Sequence, residues 1–321
     1  MIARRALLAT LALPAIARAQ SAWAPTRPIR IVVPYTAGGA SDISARLIAD
    51  RLRGPLGQAG VVENRAGASG IIGTDAVAKA PPDGHTLALV ASSHVANRAL
   101  FPTLPFDPIA DFAPIVLTAH VQIVMVVPAS HPARDLPAFI AWAKAQNGRS
   151  AFASSGNGSN PHIFAADLLK RAGVEMEHVT YRGSTAAHAD LLAGRTQMMF
   201  DAFAAVQPHI QAGTLRMLAQ AAPRRSRLLP DTPTVAEGGF PGYGATSWGC
   251  LLAPAGTPPA AIAALNAAAR GILSTDEIRE RLALLGAEPA GGTPEELLAF
   301  MRSEQARYVA LITELGIKGD G

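Results

Sequence analysis

An apolar run of β type, closed by a small loop rich in glycine or serine and followed by a helical repeat, recurs along this chain. That recurrence restricts it to an alternating α/β architecture. The first instance is Ile-Arg-Ile-Val-Val at 29–33, followed by Pro34, Tyr35, Thr36, Ala37, Gly38, Gly39, Ala40, Ser41 and Asp42. A helix is expected over 43–53, with Ile43, Leu47, Ile48 and Leu52 on one side. Asp42 is expected as its N-cap, with Ser41 as the alternative. Gly38 and Gly39 let the backbone turn sharply and let a ligand reach the main chain. The free N–H groups of the helix and its dipole then favour an anion in the turn. No Lys-Ser or Lys-Thr follows the glycines and the G-x-G-x-x-G spacing is absent, which argues against a nucleotide.

Strands are expected at 61–63, 86–91, 121–127, 150–154, 174–180, 196–200 and 215–220, with helices between most of them. The stretch 101–114 reads as irregular and 128–137 as a hinge or linker between two α/β blocks. Ser184 is expected to cap a helix running to about 193. Helices over 258–273, 275–285 and 294–315 lack a strand set of their own and are expected to return to the first block. The domains are then 26–124 plus 249–321, and 125–248. The fold class is α/β, two domains of mostly parallel sheet flanked by helices. The loops at the C-terminal strand ends hold Gly38 and Gly39, Ser92 and Ser93, 155–159, Tyr181 with Arg182, and Asp201. Open α/β sheets bind ligands at that edge, so two facing domains would close on a small carboxylate between them. Each loop also has a plainer structural reading. The 155–159 run serves as a βα turn, Asp201 as a helix cap, Arg182 as a surface ion pair.

The first nineteen residues set the address. Arg4 and Arg5 precede an apolar stretch at 6–16, and Ala17-Arg18-Ala19 fits a cleavage site, so a signal peptide over 1–19 and export to the periplasm are expected. Removing Arg4, Arg5 and Arg18 takes the formal charge from +4 to +1, which leaves no footprint for nucleic acid. Aromatic residues make up only 5%, too few for a stacking platform. Cys250 is the only cysteine and sits in an apolar run, as a buried small hydrophobe rather than a nucleophile. His94 and His162 lack metal-ligand spacing and read as structural. No metal, no cofactor and no catalytic signature is expected. The basic cluster at 224–227 reads as a solvated loop.

The residues also carry a family resemblance that covers essentially the whole mature chain. Its elements are Pro-Ile-Arg-Ile-Val-Val-Pro with Ala-Gly-Gly-Ala-Ser-Asp (28–42), Val-Val-Glu-Asn-Arg-Ala-Gly-Ala (61–68) and Ala-Lys-Ala-Pro-Pro-Asp-Gly (78–84). They continue with Asp-Phe-Ala-Pro-Ile (111–115), Ser-Ser-Gly-Asn-Gly-Ser (154–159) and Tyr-Arg-Gly-Ser (181–184). Pro-Asp-Thr-Pro-Thr-Val-Ala-Glu-Gly-Gly (230–239) and Leu-Ala-Pro-Ala-Gly-Thr-Pro (252–258) complete the series. In order and spacing the chain resembles the substrate-binding proteins of tripartite tricarboxylate transporters, the Bug receptors. The resemblance implies a periplasmic, monomeric "Venus flytrap" that binds a small organic acid and passes it to a membrane transporter. The acid would be a dicarboxylate, a tricarboxylate, an amino acid or an aromatic acid. The implied site comprises Tyr35, Gly38, Gly39, Ser41, Asp42, Ser92, Ser93, Ser154, Gly156, Asn157, Gly158, Ser159, Tyr181 and Asp201. Tyr35, Thr36, His94 and Arg182 depart from the usual pattern, with His94 expected to narrow the cleft. A sensor handing its closed form to a signalling protein, an exported enzyme acting on a small acid, and an interaction module are the rival readings.

Overall fold

The computed structural model describes residues 23–319. The expected signal peptide and its cleavage after Ala19 lie outside the described residues. The first part of the chain runs β1 (Ile29–Val33), α1 (Ala40–Ala49), α2 (Arg53–Leu56), β2 (Gly60–Asn64), α3 (Ile71–Ala78), β3 (Thr86–Ala91), α4 (Ser93–Leu100) and β4 (Phe112–Val121). It continues with β5 (Ile123–Pro128), α5 (Leu136–Gln146), β6 (Ala151–Ser154), α6 (Asn160–Ala172), β7 (Glu177–Thr180), α7 (Ser184–Leu192), β8 (Met198–Ala202), α8 (Phe203–Gln211) and β9 (Leu215–Gln220). The last part is β10 (Ser247–Pro254), α9 (Pro259–Leu273), α10 (Asp276–Ala283), β11 (Ala287–Gly291) and α11 (Pro294–Leu315).

The strands form two sheets, one of order β11-β4-β10-β3-β1-β2 and a smaller one of order β7-β6-β8-β5-β9. Both are mixed, where mostly parallel sheets were expected. In the larger sheet β1 pairs parallel with β2 and β3, whereas β10 pairs antiparallel with β3 and β4, and β11 antiparallel with β4. In the smaller sheet β6 is parallel to β7 and β8, while β5 is antiparallel to β8 and β9. The first strand after each passage between the sheets runs against its neighbours: β5 against β8 and β9, and β10 against β3 and β4.

The 128–137 stretch is not a hinge between the sheets. It joins β5 to α5 on the smaller sheet, and the Arg216 guanidinium fixes it by donating to the carbonyls of Ala129 (2.7 Å), His131 (3.0 Å) and Ala133 (3.1 Å). The chain passes between the sheets at Gln122, between β4 and β5, and again over 221–246. At Gln122 the backbone N–H donates to Gly286 O and the carbonyl accepts from Phe203 N–H, each at 2.8 Å.

One apolar cluster runs through both sheets, taking in Val32, Val90 and Trp248 with Met125, Phe152 and Phe200. Two smaller clusters cover the opposite faces, around Ile29, Ile31 and Leu265 in the larger sheet and around Val124, Met199 and Leu215 in the smaller. The helix α9 packs on β4 and α10 on β11, and α11 packs on α4 and β4 while reaching α6. The start of α11 is fixed by a capping box, in which Thr293 Oγ1 accepts from Glu296 N–H and Glu296 accepts from Thr293 N–H. Among the described residues no helix is long and apolar enough to cross a membrane.

Candidate binding site

The loop after β1 is shaped from within. Gly39, not Asp42 or Ser41, is the N-cap of α1, with the extended backbone that position takes (φ −78°, ψ 169°). Asp42 falls in the first turn and is only 3% exposed. Its carboxylate accepts from Gly38 N–H (2.9 Å), Arg46 Nε (3.1 Å) and Asn64 Nδ2 (3.0 Å). Burial alone would raise its pKa, but these donors and the Arg46 charge hold the group below the usual carboxylate range. Both oxygens are occupied by donors of the protein itself, so Asp42 ties the turn to α1 and to the end of β2. Gly38 sits at φ +84°, a conformation natural only to glycine. A side chain at Gly38 or Gly39 would meet open space or, at Gly39, only Thr36 O at 3.7 Å.

Tyr35 links this loop to the end of β3. Its hydroxyl accepts from Ala91 N–H at 3.0 Å and lies 2.9 Å from Ser93 Oγ. Burial raises the phenol pKa, so it remains protonated. Ser92 is fully buried and is the N-cap residue of α4. His94 does not narrow a cleft. It lies buried in α4, stacks on Phe106 and meets Phe112 edge-on, and its Nε2 is 2.8 Å from Pro108 O. Burial lowers its pKa to about 4.

The loop after β6 is built the same way. Ser154 Oγ donates to Gly156 O at 3.0 Å and lies 2.7 Å from His178 Nε2. Ser159 is the N-cap of α6 and accepts from His162 N–H. Gly158 N–H donates to His162 Nδ1 at 3.1 Å. Gly158 also has φ +71°, and a Cβ there would lie 2.8 Å from Leu100 Cδ2, so the loop abuts α4 of the larger sheet. The Asn157 amide donates to Lys318 O at 2.6 Å. Tyr181 N–H donates to Ser154 O at 3.0 Å, which sets the end of β7 beside this loop. Its hydroxyl donates to Asp190 at 2.6 Å. Burial and then that carboxylate push the phenol pKa up to about 12. Asp201 is 4% exposed and is held within the smaller sheet by Ser184 Oγ (3.0 Å), His188 Nε2 (2.8 Å) and Ala202 N–H (2.8 Å). Ser184 is therefore a partner of Asp201, and Gly183 takes the N-cap place expected for it.

The two sets of loops meet at Asn160, a residue outside the expected site. Its Nδ2 donates to Ser92 Oγ (2.9 Å) and Ser247 Oγ (3.3 Å), and its Oδ1 accepts from Tyr308 Oη (3.1 Å). Four elements, α4, α6, β10 and α11, are joined through that one amide. Beside it the Trp248 indole N–H donates to Glu304 Oε2 at 2.9 Å, and Arg307 braces the same carboxylate. Burial raises the Tyr308 pKa to about 12, so its proton stays available to Asn160. None of these long-range partners has a local sequence signal.

Three helix N-termini, those of α1, α4 and α6, therefore begin at these loops. The buried carboxylates expected in the site, Asp42 and Asp201, are already occupied by donors of the protein. Such a set of N–H and hydroxyl donors with little free negative charge suits an anion.

Comparison with known proteins places residues 44–317 in a family model described as "Tripartite tricarboxylate transporter family receptor". A protein from the tcbD-tcbE intergenic region of Pseudomonas sp. strain P51 is 42% identical over 318 residues, covering 98% of this chain and 95% of its own. Among solved structures, an R. palustris protein determined with adipate superposes with TM-score 0.83 at 36% identity, covering 92% of this chain and 99% of its own. The periplasmic binding protein BugD superposes with TM-score 0.79 at 30% identity, covering 92% of this chain and 100% of its own.

Proposed function

The chain belongs to the tripartite tricarboxylate transporter receptor family, and from that premise we propose that it captures one small organic carboxylate between its two sheets and delivers it to a membrane transporter of that type. The family is one of periplasmic solute-binding receptors rather than enzymes.

The observation that carries the proposal is that the helix starts at Ser92 and Ser159 are joined through the Asn160 amide, and the helix start at Gly39 is tied to the first of them through Tyr35 and Ser93. In this reading Gly39 N–H and the Ser41 and Ser159 hydroxyls supply donors to the ligand carboxylates, directly or through water, while the N–H groups of Gly38, Gly156 and Gly158 bond within their own loops and hold them open. In the same reading Ser93, Asn157 and Tyr181 stand beside the ligand, each oriented by a bond within the protein, to Tyr35, Lys318 O and Asp190. Tyr35, Asp42, Ser92, Ser154 and Asp201 hold the loops in shape, since their polar atoms are bound to other protein groups. The expected division at 124 and 248 lies inside β5 and β10, two residues past each passage between the sheets, and closure would turn about Gln122 and the 221–246 segment. A ligand touching both sides favours the closed arrangement by the difference in its affinity for the two. Adipate, bound by a relative of the same fold, is the first ligand to try.

The test is a calorimetric titration of the mature protein, unfolded and refolded to strip co-purified ligand, with C4 to C6 dicarboxylates. Saturable binding at one site per chain supports the proposal. Chemical conversion of the bound acid would instead make this chain an exception to its family.

A further inference from the structure

The basic cluster at 224–227 divides in the structure. Arg225 pairs with Glu237 at 3.0 Å. Arg227 instead lines a recess of about 750 Å³, together with Arg270 near the end of α9, Arg279 of α10 and the edge of β11. None of the residues assigned above to the carboxylate site lines it. A recess of this size falls in the ordinary range for small-molecule sites, roughly 300–1,000 Å³.

Its charge is one-sided. Three guanidiniums face one lining carboxylate, that of Glu288. One oxygen of Glu288 already accepts from the Ser226 hydroxyl and from the Gln122 amide. Arg279 is shared with Asp276 on the outer surface. The guanidiniums of Arg227 and Arg270 have no hydrogen-bond or ion-pair partner among the described residues. Like charges gathered in a recess focus a positive potential, and guanidinium forks match the oxygens of phosphate and carboxylate. The strand β11 adds main-chain donors, because it pairs with β4 on one side only and leaves its other edge unpaired.

We propose that this recess is a second anion site, separate from the carboxylate site, and that it takes a small polyanion of the phosphate or polycarboxylate class. Its walls come from the segment joining β9 to β10 and from α9, α10 and β11, so an occupant ties that passage to the larger sheet.

The test uses inorganic phosphate at pH 8, where it is mostly the dianion, followed by the shift in melting temperature at ionic strength matched with sodium chloride. Wild type is expected to gain a saturable stabilisation beyond that given by chloride. The Arg227→Gln, Arg270→Gln double variant, both exposed positions, is expected to melt like wild type without phosphate and to bind phosphate at least tenfold more weakly. A Gly39→Asp variant, altered in the carboxylate site, is expected to keep the wild-type phosphate response. No stabilisation beyond chloride, an unchanged affinity in the arginine variant, or complete loss of the response in Gly39→Asp would each overturn the proposal.

Discussion

Single residues do two different jobs around the proposed site, and the difference can be measured. Gly39 has the backbone of an N-cap and open space where a side chain would stand. Aspartate is a good N-cap, worth a few tenths of a kcal/mol over glycine. Gly39→Asp is therefore expected to leave melting unchanged or slightly raised while its charge weakens carboxylate binding at least tenfold, read by calorimetry. Asn160 is the opposite case. Asn160→Ala leaves Ser92, Ser247 and Tyr308 without their shared partner, at about 2–3 kcal/mol for buried groups stripped of hydrogen bonds. Urea denaturation checks this. Burial holds His94 at about 4, against an ordinary 6.5. Between those values the unfolded chain binds more protons at this position than the folded one does. Its contribution is therefore complete above pH 6.5 and is lost as pH falls toward 4, amounting to roughly 3 kcal/mol. His120 and His131 are also lowered by burial, so the check is the difference in pH dependence between wild type and His94→Phe, which should be the flatter.

Elements were legible where their own residues declare them. The strands β1, β3 and β9 are largely apolar, with Arg30 in β1 and Arg216 and Gln220 in β9 as the charged or amide interruptions, and each stands where the sequence pattern puts it. The strand β4 was hidden because Pro114 reads as a strand breaker. In the sheet Pro114 faces Leu252 where the register of β10 against β4 shifts, and that irregularity accommodates a residue without an N–H. The strand β11, Ala-Glu-Pro-Ala-Gly, has no apolar alternation at all. It is an edge strand that exists because β4 offers it a partner. Helix starts were misassigned by a few residues wherever a glycine took the cap and the polar residue after it turned to another task, as at Asp42 and Ser184. The approach of the 154–160 loop to α4 depends on Gly158, whose missing Cβ leaves room for Leu100 and whose φ is +71°. Gly158→Ala is expected to cost about 1–3 kcal/mol in strain and overpacking and to weaken ligand binding in parallel, measured by urea denaturation and titration of the same variant.

At the scale of the whole molecule, the alternating pattern and the small polar loops pointed correctly to an α/β receptor, and the family comparison agrees. What the sequence could not supply is how distant segments join. Ser92 and Ser247 lie 155 residues apart and meet through a third residue on another element. The passage at Gln122 is a single residue with no hinge composition, whereas the proline-rich 128–137 stretch that looked like a hinge is fixed by Arg216. In the proposed function one small carboxylate binds between the two sheets. The most direct test is thermal unfolding of the stripped, mature protein with adipate and a panel of related organic acids. At about 100 times its dissociation constant, a true ligand should add about 2.7 kcal/mol of stability. At least one dicarboxylate is expected to give such a concentration-dependent rise, greatly reduced in Gly39→Asp. A flat response across the panel, or an equal response in that variant, would contradict it.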